Sequence, residues 1–476
     1  MATTGADPSL RPEAVSTNPA RAILDDLVAE RRADGPFPPG PSSFSMARGR
    51  QIIHDPLGLL LPLYEEYGPI FTTRLFHQRV VWMLGPEANH YVTVSHPHNF
   101  HWRESSFADL IPLIGDGLLT TDEGYHDRAR RIMMPAFHRE RIGASVETMA
   151  TEAGVALEGL RPGATVDVYA WARNLAMRIA MRALVGLDPD DGDRGAAAAH
   201  HFERALAFYM TDFHARVRRG PGSAYSRLRS SRRTLDEIVL GEIVRRRAAG
   251  EQREDVLSLL IEARDEDGSS LTDSEVRDQL MTLLFAGHDT STSTLSFLFY
   301  ELARHPAALL RLQDEQDRVL GGAPPTAAQL FGELTYMDMV VDEVLRLYPP
   351  AWVGPRRAMT GFEFGGYRVP RGAYVNYCSW ASHRIPEVFP EPEAFIPERF
   401  TRERKAGLPR GAYVPFGGGS RICIGKRFGQ TEVKLVATML LQKLRLDAMP
   451  GRTMTVRQMP TLSPRGGLEM RVLPRA

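Results

Sequence analysis

A mainly α fold with a smaller β portion, closed into a single large domain, is what this sequence predicts. Three observations carry that reading. Residues 124 to 347 are dominated by Ala, Leu, Arg and Glu in helical patterns, the spacing of an apolar face on a helix. The β-type runs are short and lie on either side of that stretch. No repeat, low-complexity block or clear linker divides the 476 residues, although length alone would suggest two or three domains.

Taken in order, residues 1 to about 18 are polar and Pro-containing, a composition that disfavours packing. Ile23, Leu24, Leu27 and Val28 then stand at helical spacing and predict one short amphipathic helix. The run 35–41, Gly-Pro-Phe-Pro-Pro-Gly-Pro, reads as a stiff extended connector. Residues 1–35 are therefore set apart as a polar segment with a short helix, and 36–476 as the main domain. Ile70 to Thr73 and Val80 to Leu84 are β-type runs. From Phe362 onward, a Gly-Tyr-Arg-Val-Pro-Arg-Gly stretch and Tyr374 to Tyr377 predict a small antiparallel piece. Leu435 to Leu444 reads as a helix. The tail from Thr455 to Val472 reads as a closing hairpin turning at Pro464 to Gly467.

Composition excludes several classes of function. Lys plus Arg and Asp plus Glu are both 58, so no global field favours nucleic acid or an anionic membrane. Two cysteines, Cys378 and Cys423, cannot build a disulfide framework or a Cys-rich zinc site. They fit a reducing, cytoplasmic compartment. The N-terminus shows no basic and apolar leader pattern, and no run approaches the ~20 apolar residues of a spanning helix.

The densest signal is Pro415-Phe416-Gly417-Gly418-Gly419-Ser420-Arg421-Ile422-Cys423-Ile424-Gly425. A lone thiolate is a strong, soft iron ligand, and glycines allow tight turns and close backbone approach. A thiolate facing a large flat cofactor would need that combination, although a buried structural cysteine in a glycine turn has the same look. Cys378 carries no comparable surroundings and reads as a structural or solvent-near thiol.

A second signal lies in a long helix. Thr272-Asp273-Ser274-Glu275 has the capping-box pattern. Apolar positions follow through Val276, Leu280 and Leu283 to Leu302, and Pro306 stops the run. About 33 residues at 1.5 Å each give a helix of roughly 50 Å. Its middle, Ala286-Gly287-His288-Asp289-Thr290-Ser291-Thr292, is polar where core is expected. Gly287 would let something flat lie close, and Thr290 could bond back to the Ala286 carbonyl and open the helix. Glu343 and Arg346 share a face of a helix that ends at Pro349-Pro350; by spacing alone they read as an exposed ion pair.

In combination these stretches resemble the cytochrome P450 family over residues 36 to 476. The match to F-x-x-G-x-R-x-C-x-G uses Phe416, Gly419, Arg421, Cys423 and Gly425. Residues 286–291 are similar to [AG]-G-x-[DE]-T-[TS], Glu343 and Arg346 to E-x-x-R, and Pro397 to Phe400 to P-E-R-F. The resemblance implies heme b with Cys423 as the iron ligand and Phe416 beside it. It implies that Asp289 and Thr290 deliver protons to the dioxygen being reduced. Arg399 would join Glu343 and Arg346 in a buried network under the cysteine loop. Arg421, Arg356, His126 and Arg130 would hold the heme propionates. Arg357 leaves a one-residue alternative for Arg356, and His126 stands where many members carry Trp.

The implied activity is a monooxygenase that inserts one oxygen atom from O2 into a lipophilic small molecule, by hydroxylation or epoxidation. Electrons would come from a separate ferredoxin or flavodoxin-type donor with its reductase, since the chain carries no flavin or iron–sulfur domain. The donor would meet either a basic patch of Arg128, Arg131, Lys426 and Arg427 or only scattered solvated charge. The motif style is that of microsomal and fatty-acid-hydroxylating members, in a chain without their anchor. Phe100 to Ile114, Ala351 to Val353 and Met459 to Leu462 would border the substrate. The seven arginines between Arg216 and Arg233 read as a solvated face, or as contacts to an anionic substrate or a membrane surface near the entrance. Two alternatives stay open: a heme-thiolate isomerase or lyase, and a non-catalytic heme-binding protein.

Overall fold

The computed structural model describes residues 12–190, 192–211, 213–250 and 253–475. The polar stretch before residue 12 lies outside the described residues. Helices fill the middle of the chain, and the β elements flank them, as the pattern predicts.

The helix Asp273–Arg304 runs through the core. The Thr272 side chain accepts from the Glu275 N–H and the Glu275 side chain accepts from the Thr272 N–H, so the predicted capping box closes. His305 caps the other end, directly before Pro306. The helix packs on Val168–Ala180, on Lys426–Leu441 and on the strand Leu444–Ala448. Most of its side chains are buried on every face, which marks a core helix rather than an amphipathic surface one.

A five-stranded sheet stands beside this helical body. Its order is Ile70–Leu75, Gln78–Met83, Tyr374–Cys378, Val353–Ala358 and Phe100–His101. The first two strands form an antiparallel hairpin with Ile70 opposite Met83. Tyr374–Cys378 joins as a central strand, parallel to Gln78–Met83 and antiparallel to Val353–Ala358. It is thus not part of the small antiparallel piece that the sequence suggests; that piece is the hairpin Phe362–Phe364 with Tyr367–Val369. The sheet has its own apolar layer, including Val81, Met83, Phe100, Val375 and Tyr377.

Several sequence expectations are corrected by tertiary contacts. The helix after the cysteine loop is Lys426–Leu441, and Leu444 opens a strand. Its first half is too polar to show a helical stripe, yet Thr431, Glu432 and Lys434 are buried there. Lys434 is held by the Leu330 carbonyl and Asp338. The tail does not close on itself from 455 to 472. Val456–Arg457 pairs with Ser463–Pro464, while Glu469–Pro474 pairs with Leu444–Ala448 and Thr165–Asp167.

The N-terminal helix Pro19–Arg31 forms, but with its expected face reversed. Leu24 and Val28 are exposed and Asp26 is buried. Asp26 meets His77 at 3.1 Å, the Tyr374 hydroxyl at 2.7 Å and Arg357 at 3.5 Å. Charge pairing to the sheet thus outweighs the apolar stripe. The Pro-rich run behind it is not a free connector either. Thr72 and Arg74 donate backbone N–H groups to the Pro39 and Pro41 carbonyls. A Cβ on Gly40 would lie 2.2 Å from the Thr72 carbonyl oxygen, so only glycine permits that approach.

Candidate active site

The cysteine loop packs on Tyr91–Ser95 and lies beside Tyr377 of the sheet, and the helix that follows it packs on the long helix. Cys423 donates its backbone N–H to the Phe416 carbonyl at 3.0 Å, closing the loop. Gly419 has φ +62°, and a Cβ there would be 2.1 Å from the Thr93 carbonyl oxygen. The glycine is therefore dictated by close packing. Cys423 lines a cavity of about 770 Å³ together with Arg130, Phe137, Ile422 and Ile424. Its thiol is pushed up by desolvation and drawn back down by the Gly425 N–H and the charges of Arg130 and Lys426. A metal ion there would deprotonate it outright. Phe416 packs against the main core, with the Lys426 ammonium 5.5 Å from its ring. Cys378 is buried, its sulfur accepting from the Ala381 N–H at 3.4 Å, and burial pushes it up to about 12. That makes it a structural thiol and excludes the solvent-near alternative.

Glu343 and Arg346 are fully buried, which overturns the exposed ion pair suggested by spacing alone. Arg346 donates to both Glu343 oxygens at 2.7 and 2.9 Å. It also donates to the carbonyls of His383, Pro392 and Ala394. Glu343 accepts from the Ile396 N–H at 2.8 Å and lies 3.4 Å from Arg399. Three segments are thus tied into one network in which Arg346 and Glu343 are satisfied, while Arg399 Nε has no hydrogen-bond partner.

Arg421, Arg356, His126 and Arg130 come together. Arg421 donates to the Leu118 and Thr121 carbonyls at 3.3 and 2.9 Å, and Asp122 stands 3.5 Å away. Burial, only partly offset by Asp122, drops its guanidinium to about 9. Arg356 is buried, donates to the Pro355 carbonyl and also interacts with Tyr377; among the described residues it has no carboxylate partner. Its neighbour Arg357 points to the other face of the strand, 4.0 Å from the Tyr374 ring and 3.5 Å from Asp26. His126 is buried and sits 2.9 Å from Asp127; burial, then Arg421, depress it to about 4. Arg130 is felt by Cys423. A buried Arg356 without a carboxylate partner, beside an Arg421 only loosely paired with Asp122, fits the two carboxylates of a heme.

The long helix supplies the third wall. The Thr290 hydroxyl donates to the Ala286 carbonyl at 2.7 Å, as its spacing predicts. The helix stays helical throughout this stretch. Gly287 does not give way to a flat group. A Cβ there would meet Leu184 Cδ1 at 3.7 Å, so it faces protein, while Ala286 and Thr290 share a half-buried face. Asp289 is buried. It accepts from Arg173 at 2.8 Å and from the Thr461 hydroxyl at 2.5 Å. Arg173 in turn binds Glu203 at 2.8 Å, and Glu203 lies 3.1 Å from His288. Neither Arg173 nor Thr461 was legible beforehand, because their partners are distant in the chain. Ser291 donates to Glu432 at 2.7 Å, tying the long helix to the one that follows the cysteine.

Other expectations shift. Arg128 is buried against Glu275 and the Ser270 carbonyl, and Arg131 is chelated by Asp265 at 2.7 and 2.8 Å. Only Lys426 and Arg427 of the expected patch are exposed without such a partner, and Arg139 and His138 lie along the same cavity. Phe100 packs with Tyr91 and Phe362 in the sheet's own layer. Arg232 is no solvated charge, since it binds Asp236 and Asp278 at 2.6 and 2.9 Å.

Comparison with known proteins agrees with this geometry. Residues 36–469 match the Cytochrome P450 family profile. The cyclooctat-9-en-7-ol 5-monooxygenase of Streptomyces melanosporofaciens is 34% identical over 407 residues, covering 84% of this chain and 87% of its own. The pentalenene oxygenase of Streptomyces avermitilis is 32% identical and covers 71% of this chain and 75% of its own. Among solved structures, cyanobacterial CYP120A1 with retinoic acid bound superposes with a TM-score of 0.82 at 28% identity, covering 92% of this chain and 99% of that one. Among the described residues no helix is long and apolar enough to cross a membrane. A thiol on a cavity, a buried arginine without a carboxylate partner and a hydroxyl-bearing core helix accord with these matches: the chain belongs to the cytochrome P450 family, the heme b monooxygenases.

Proposed function

We propose that Cys423 ligates the heme iron, that Arg356, Arg421, His126 and Arg130 hold its propionates, and that Thr290 and Asp289 move protons to the reacting oxygen. The observation that carries this reading is a thiol lining a cavity beside Arg130, with the buried Arg356, which has no carboxylate partner among the described residues, standing near Arg421, whose one carboxylate neighbour, Asp122, is 3.5 Å away. Heme bound through a thiolate supplies the electron push that favours O–O cleavage and oxygen insertion. The chain's own part is positioning and proton supply. Thr290 has its hydroxyl hydrogen committed to Ala286, which leaves its oxygen lone pairs free to accept from a donor on the other side. Asp289 is anchored between Arg173 and Thr461, so relaying a proton requires loosening one of these contacts.

The relatives' names and the apolar segments around Trp352 and Phe107 support a polycyclic terpene or similarly lipophilic substrate. A ferredoxin or flavodoxin-type donor with its reductase would dock on the cysteine face, guided by Lys426, Arg427 and Arg139, with both partners in the cytoplasm. Surface cations of this kind act chiefly on the rate of encounter. A carbon monoxide difference spectrum of the reduced protein tests the ligand, and the expected maximum is that of a thiolate-bound heme. Thr290→Ala should keep consuming electrons but release peroxide in place of most product; unchanged coupling would remove Thr290 from the proton route.

A further inference from the structure

Five tryptophans occur in the chain, and four donate their indole N–H within the protein. Trp82 donates to the Thr73 hydroxyl at 2.9 Å, Trp171 to the Ala156 carbonyl at 3.1 Å, Trp352 to the Gln458 carbonyl at 2.9 Å and Trp380 to the Leu347 carbonyl at 2.8 Å. Trp102 is half-buried, yet its Nε1–H has no acceptor among the described residues. The N–H is not sealed off from its surroundings, so an incoming acceptor can reach it, and an indole N–H at a half-buried site normally has one.

The ring is not loose. Both Asp122 carboxylate oxygens accept from the Trp102 backbone N–H at 3.0 Å, and one also accepts from the Arg103 N–H at 2.9 Å. Ser105 donates its hydroxyl and its N–H to the Trp102 carbonyl at 2.5 and 3.0 Å. Phe107 stacks on the indole with centroids 5.0 Å apart. The Arg356 and Arg421 guanidinium carbons lie 3.8 and 4.5 Å from the same ring. Three donor groups therefore meet at one place, and the nearby carboxylate, Asp122, is already occupied by backbone N–H groups. Such a cluster is built to receive an anion that the chain does not supply.

We propose that Trp102 is a heme-binding residue, giving its indole N–H to a propionate and backing the Arg356 and Arg421 guanidinium groups with its ring. The proposal rests on the heme reading above and extends it to a residue outside the family motifs. Two variants of the holoenzyme separate the two roles. Trp102→Phe keeps an aromatic ring against both arginines and deletes only the N–H; Trp102→Ala deletes both. Heme transfer to excess apomyoglobin should run about tenfold faster from Trp102→Phe, the loss of one charge-assisted hydrogen bond, and faster still from Trp102→Ala. The propionate bending band in the resonance Raman spectrum should shift in Trp102→Phe, while the reduced carbon monoxide maximum stays at the thiolate position. Wild-type transfer rates in Trp102→Phe would overturn the proposal. Faster transfer with an unmoved propionate band would overturn it too, because Trp102 would then only pack its loop. A wild-type protein without the thiolate maximum would instead remove the heme reading, and this one with it.

Discussion

Two clusters of arginine withdrawn from solvent are satisfied in opposite ways. Arg346 donates to both oxygens of Glu343 and to three backbone carbonyls. Arg356 donates to a single carbonyl, and Arg421 to two carbonyls with Asp122 no closer than 3.5 Å. The first cluster closes without help. The second has donors to spare. A buried guanidinium is tolerated only with acceptors around it, so the missing acceptors must arrive with a ligand. The same residue type is scaffold in one place and binding site in the other, and only the inventory of acceptors tells them apart.

The largest effect should follow from breaking the closed cluster. Glu343→Ala leaves Arg346 and Arg399 buried with no acid. Removing one partner of a buried pair costs about 3–5 kcal/mol, a large share of the stability of a typical domain. The variant should lose its heme and much of its cooperative denaturant transition. Normal heme content in purified Glu343→Ala would show that the network does not hold the loop.

The open cluster carries a pH dependence of its own. His126 is depressed to about 4 by burial first and Arg421 second, with Asp127 opposing and Arg130 adding to the depression. An unfolded histidine titrates near 6.5. Between those values the unfolded chain binds a proton that the folded chain refuses, so the apoprotein loses stability as pH falls through that window. The loss reaches roughly 3 kcal/mol at its lower end. His126→Gln should flatten this fall, measured as the urea midpoint of apoprotein at neutral pH and near pH 4. An equally steep fall in the variant would place the acid sensitivity elsewhere.

How much of this could be read beforehand follows from how local each feature is. The cysteine loop, the capping box at Thr272 and the Thr290 bond to Ala286 each span a few residues, and all form as the sequence suggests. The partners of Asp289 do not. Arg173 lies 116 residues before it and Thr461 lies 172 after it, and neither sits in a motif. The reversal of the first helix has the same cause, since Asp26 is drawn inward by Tyr374, which is 348 residues away. Periodicity reports which face is apolar; it cannot report that a distant charge competes for burial. Glu432 and Lys434 hid the start of the helix after the cysteine for the same reason.

The finest test of the contrast uses its sign. Arg356→Met replaces a buried charge lacking a carboxylate partner with an apolar side chain of similar length. In the apoprotein the urea midpoint should stay level or rise, because the desolvated charge and its repulsion with Arg421 both disappear. In the holoprotein the same change removes a charge-assisted bond to a propionate and should weaken heme binding by about 2 kcal/mol. Stability and heme affinity thus move in opposite directions, whereas any lesion in the Glu343 cluster lowers both. If Arg356→Met destabilises the apoprotein, Arg356 belongs with Arg346 as scaffold, and the distinction between the two clusters fails.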